Sequence, residues 1–82
     1  MTYRAKLSER ALGQLSGFPA KALDALVAAM SMVADYPDDP LRTFPTDDPH
    51  VRRAEFGGAG LVTYLISDAR QTVTLTDITW TG

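Results

Sequence analysis

From His50 onward, apolar and polar residues alternate in three successive runs: His50–Phe56, Gly60–Asp68 and Thr72–Trp80. They are rich in Val, Ile, Thr and Tyr and are separated by Gly57-Gly58-Ala59-Gly60 and Asp68-Ala69-Arg70-Gln71, which is the pattern of strands joined by short turns. Pleat parity puts Val51, Arg53 and Glu55 of the first run on one face and His50, Arg52, Ala54 and Phe56 on the other. In the second run Val62, Tyr64 and Ile66 oppose Leu61, Thr63 and Leu65, so this strand is apolar on both faces. Such a strand is central and covered twice. In the third run Val73 and Leu75 are out of phase with Ile78 and Trp80, which predicts a bulge near Thr76-Asp77.

The first half of the chain has a different period. Tyr3–Leu7 alternates apolar and cationic residues and predicts an edge strand, after which Ser8 is placed as a helix N-cap with Glu9 at the positive helix end. The first helix runs to about Leu15 and presents Ala11, Leu12 and Leu15. Ser16-Gly17-Phe18-Pro19 closes it, with Gly17 as C-cap and Pro19 set for the first turn of a second helix. That helix, about Ala20 to Asp35, carries Leu23, Leu26, Val27, Met30 and Val33 as a core stripe, completing a helical hairpin. Its opposite side holds Ala25, Ala28, Ala29 and Met32, either as plain helix formers or as a face for a partner helix. Residues 36–49, with four prolines, predict a loop.

Length and charge narrow the function. With 82 residues the chain is expected to be one domain, 1–82, whose small core a partner chain completes. The absence of cysteine excludes disulfides and thiolate metal sites and agrees with a cytoplasmic protein. No signal-peptide pattern precedes the first strand, and the longest apolar stretch, Ala25–Ala34, falls far short of the roughly 20 residues that cross a bilayer. Net charge is −2, without the basic excess that drives docking on nucleic acid through phosphates.

Candidate chemistry is sparse. His50 is the single histidine, and the glycine-rich turn joins two strands instead of opening a helix, so neither a histidine metal site nor a phosphate loop is expected. The Asp pairs of the 36–49 loop lack the glycine and closing glutamate of a calcium loop and read as solvated turns. No metal or cofactor is expected. One polar constellation stands out: His50, Arg52, Arg53 and Glu55 on a strand, with Tyr64 opposite on the next. Such a set positions a phosphate and moves a proton. The competing reading is a sheet-edge salt-bridge cluster.

The order strand, helix, helix, strand, strand, strand resembles the RelE/ParE superfamily of bacterial type II toxin–antitoxin systems. The resemblance covers nearly the whole chain and rests on Tyr3–Leu7, Ser8-Glu9-Arg10-Ala11, Pro37–Pro40, Arg52-Arg53-Ala54-Glu55-Phe56, Gly60–Tyr64 and Val73–Trp80. It implies an α+β fold with a mainly antiparallel four-stranded sheet on a helical hairpin. It also implies an antitoxin segment wrapping over the toxin, which here would cover Ala25, Ala28, Ala29, Met32, Leu61, Leu65 and Trp80. Members that cut messenger RNA on the ribosome carry an arginine just before the Val-x-Tyr of the central strand, where this chain has Leu61. They end the last strand with a His-Arg-like pair and a tyrosine, where this chain has Trp80 and Thr81 and then Gly82. Losing cations that stabilise the pentacovalent phosphate removes several kcal/mol of transition-state stabilisation. Arg52, Arg53, Glu55 and Tyr64 are what the resemblance leaves as a catalytic set. The implied functions are a toxin with a depleted messenger-RNA interferase centre, a ParE-like inhibitor of DNA gyrase, or a non-catalytic interaction module that forms a homodimer or holds a small partner.

Overall fold

The computed structural model describes residues 3–82. Its elements are β1 (Arg4–Leu7), α1 (Glu9–Gln14), α2 (Ala20–Asp35), β2 (Thr43–Pro45), β3 (Val51–Phe56), β4 (Gly60–Ser67) and β5 (Thr72–Trp80). The strands form one sheet in the order β1-β5-β4-β3-β2, with β1 parallel to β5 and every other pair antiparallel. The α+β class is as the sequence indicates. The four-stranded expectation is corrected to five strands, because β2 forms inside the stretch read as loop.

β2 exists because its surroundings hold it. Thr43 is buried, its amide and hydroxyl both donate to the Asp39 carbonyl at 2.9 and 2.6 Å, and its own hydroxyl oxygen accepts from Arg52 Nε at 2.9 Å. Pro45 is tolerated since β2 is an edge strand. Thr43 is thus the buried anchor of a short strand within the proline-rich stretch.

At the other edge, β1 pairs with β5 only over Thr72–Leu75. Where β1 stops, α1 takes over: Ser8 Oγ caps it by accepting from the Ala11 amide at 3.1 Å, and Gln14 Oε1 accepts from the Ile78 amide at 2.7 Å. A side chain thus satisfies a strand donor that would otherwise be orphaned. The bulge falls where expected, since Thr63 pairs with Asp77 and Tyr64 with Leu75, leaving Thr76 as the extra residue.

The core lies between one sheet face and the helices. Leu26 and Val33 of α2 meet Ala54, Phe56, Val62, Tyr64, Val73, Leu75 and Ile78. The α2 stripe differs from expectation. Ala22, Leu26, Ala29, Val33 and Ala34 are buried, whereas Leu23 and Val27 are exposed. Alanines let the helix backbone lie close to the sheet, and the roll that brings them inward turns Leu23 and Val27 out. Gly57 belongs to the same close approach: its φ is +61°, and a Cβ there would stand 2.9 Å from the Trp80 ring and 3.0 Å from Ala25 Cβ. Among the described residues, no helix is long and apolar enough to cross a membrane.

Candidate functional site

The sheet face away from the helices carries the candidate site. Register aligns its side chains in rows across the strands: Glu55, Leu61 and Thr79; then Phe44, Arg53, Thr63 and Asp77; then Val51, Leu65 and Thr74, with Lys6 beyond Thr74 on β1. Leu61, Leu65 and Phe44 are exposed on it at 38, 42 and 47%. Adjacent strands are about 4.8 Å apart, so a row spanning three strands is roughly 10 Å wide. That suits an extended peptide or one nucleotide unit.

Asp77 is the fixed charge of this face. Gln14 Nε2 donates to its Oδ1 at 2.8 Å, and Arg10 Nη2 lies 3.2 Å from the same oxygen. The Gln14 hydrogen bond, helped by the charges of Arg10 and Arg53 and opposed by partial desolvation, holds the carboxyl below its ordinary range. Glu55 makes no ion pair among the described residues.

Beside Glu55 the face dips into a hollow of about 370 Å³, lined by Glu55, Gly58, Ala59, Leu61, Thr79 and Thr81, together with Gly60. The hydroxyl and amide of Thr81 both donate to the Ala59 carbonyl at 2.9 Å. The hollow itself and Thr79 were not singled out from sequence, although Thr81 was. Thr79 stands opposite Leu61 only after the bulge has been counted, so pairing register was the missing information.

The polar constellation divides by strand parity. Arg53 and Glu55 share the open face, whereas Arg52 and Tyr64 pair across strands on the helix side. Tyr64 requires correction as a candidate catalytic group: it is fully buried, its hydroxyl donates to the Pro37 carbonyl at 2.6 Å, and burial raises its pKa. Arg52 is committed to β2 through Nε and through Nη2, which donates to the Thr43 carbonyl at 3.3 Å. It also lines a cavity of about 250 Å³ with His50, Tyr3, Asp38 and Asp68. His50 is itself exposed, its Nδ1 3.5 Å from Asp48 Oδ1.

The residues expected to meet a partner also divide. Leu61 and Leu65 are on the open face and Ala28 is exposed on α2. Ala29 is buried, while Ala25 and Met32 pack against the core, so these three do not form an outer helix face. Trp80 is partly buried with its ring centroid 5.5 Å from that of Phe56, which makes it a lid on the core edge. Among the described residues no group of three or more His, Asp or Glu side chains is placed to hold a metal ion.

No family model and no curated protein matches the sequence. Solved structures do match. The isolated RelE toxin of E. coli superposes with a TM-score of 0.83 at 15% identity, over 98% of this chain and 85% of that one. The chain has the RelE fold. The toxin–antitoxin complex RelBE2 of Mycobacterium tuberculosis gives a TM-score of 0.80 at 22% identity, over 99% of this chain and 93% of that one. The archaeal RelE–RelB complex of Pyrococcus horikoshii gives 0.77 at 18% identity, over 100% and 98%. On this sheet Leu61 and Thr79 share the row of Glu55, one residue from the ends of β3, β4 and β5, and Arg53 is in the next row.

Proposed function

We propose that this chain is the toxin-like subunit of a bacterial type II toxin–antitoxin pair, held by a cognate antitoxin. The observation that carries the reading is a RelE-like sheet whose open face exposes Leu61 and Leu65 beside Arg53 and Glu55, a surface suited to a protein partner. The neutral balance of that face favours a protein target, such as DNA gyrase, over messenger RNA. Arg53 alone supports at most a residual interferase activity, because phosphoryl-transfer catalysis relies on several donors aimed at the developing charge.

The deciding experiment is inducible expression in a bacterial host, with and without the adjacent small open reading frame, scoring growth and transcript integrity together. Growth arrest with intact transcripts, relieved by the second frame, is the expected result, and a supercoiling assay then tests gyrase. Cleaved transcripts would move the reading to the interferase. A harmless protein that forms no complex with the neighbouring product overturns it.

A further inference from the structure

We propose that the hollow beside Glu55 is a receptor for an arginine side chain presented by a partner protein. The proposal deepens the toxin-like reading and rests on it for the identity of the partner, but its chemistry can be tested on this chain alone.

The argument starts from which polar atoms are free. Among the described residues Glu55 is the only titratable one lining the hollow, and it makes no ion pair with any of them. Thr81 has given its hydroxyl proton to the Ala59 carbonyl, so its oxygen is left as an acceptor. Two acceptor groups with no cation between them ask for a donor. A phosphate, which brings acceptors and negative charge, meets the wrong partner at both. Arg53, the nearest cation on the same face, sits in the next row, and its charge is felt at Asp77, across the sheet in that row.

Shape selects among donors. Leu61 stands directly opposite Glu55 across the β3–β4 pair and exposes 38% of its surface, an apolar floor for a methylene stem. A carboxylate at the end of such a floor matches the planar fork of a guanidinium, which binds both oxygens at once, better than it matches a point-like ammonium. The volume of about 370 Å³ accommodates one long side chain and not a folded element. An arginine at the position of Leu61 would itself fill the place that an incoming arginine is proposed to take.

The test is an amide NMR titration of the full chain with Nα-acetyl-arginine amide, alongside Nα-acetyl-norleucine amide and inorganic phosphate. Saturable shifts at Gly58, Gly60, Leu61 and Thr81 are expected with the arginine probe only. They should weaken at least about fivefold in Glu55→Gln, and in the wild type on raising salt. Glu55 is exposed, so E55Q is expected to keep the wild-type fold, which the rest of its spectrum checks. Equal shifts with norleucine amide, shifts with phosphate in place of arginine, or an undiminished response in E55Q overturn the proposal. Growth arrest and antitoxin capture are separate readouts, so a failed titration beside a functioning toxin rejects this receptor and leaves the toxin-like reading standing. Arginine binding by a harmless, partnerless chain does the reverse.

Discussion

At single residues, the structure turns on which polar groups are already spent. The Tyr64 hydroxyl is spent on the Pro37 carbonyl, where it ties the end of α2 to the centre of the sheet. Tyr64→Phe should lower the free energy of unfolding by about 1–2 kcal/mol in urea, and leave the effect of expression on growth unchanged at matched soluble levels. Gly60 illustrates a steric limit: a Cβ there would strike the Phe56 ring. Gly60→Ala should therefore cost about 1–3 kcal/mol by the same measurement. Parity along His50–Phe56, read from sequence, already separates Arg53 and Glu55 from Arg52. What parity does not give is the facing: Tyr64 follows Val62 and Ile66 inward because a large ring with a single polar tip can be buried once that tip finds a carbonyl.

Among elements, the informative contacts are those by which one segment completes another. α1 completes β5 through Gln14, and the same side chain anchors Asp77. Because the folded Asp77 carboxyl lies below its ordinary range, its contribution to stability is full above the unfolded pKa and is lost as pH falls through the folded value. Asp77→Asn should accordingly flatten the acid limb of a stability-versus-pH curve, with the difference from wild type greatest near neutrality. β2 depends on Arg52 and Thr43 in a comparable way. Arg52→Ala should speed amide exchange at Thr43 and Phe44 and cost about 1 kcal/mol, since hydrogen bonds from a partly exposed charge are worth little more. The regular elements were legible: α2 runs from Ala20 to Asp35 and the bulge lies at Thr76. β2 was not, for a strand of three residues made by tertiary hydrogen bonds leaves no periodicity to read. The roll of α2 was missed for a related reason. Alanine is neutral in a hydrophobic pattern, whereas close approach to a sheet makes it the preferred contact.

For the whole molecule, the two sheet faces differ, one closed by helices and one open with Leu61 and Leu65 exposed on it. Leu65→Glu, on the open face, should weaken capture of the proposed antitoxin at least about tenfold in a direct binding measurement while leaving thermal unfolding nearly unchanged. Equal affinity of wild type and variant would locate the partner elsewhere. The parallel pairing of β1 with β5 has a consequence in time. Arg4–Leu7 is made first but has no strand to join until Thr72–Leu75 has emerged, and β5 is also the neighbour of β4. Closure of this sheet therefore waits until Thr72–Leu75 is available to β1, a long-range loop-closing step that slows folding. A nascent chain still tethered within β4 has neither the Gln14 clasp nor the Thr79 and Thr81 wall of the hollow, so the surface proposed to meet its target is assembled only after β5 and Thr81 have been made.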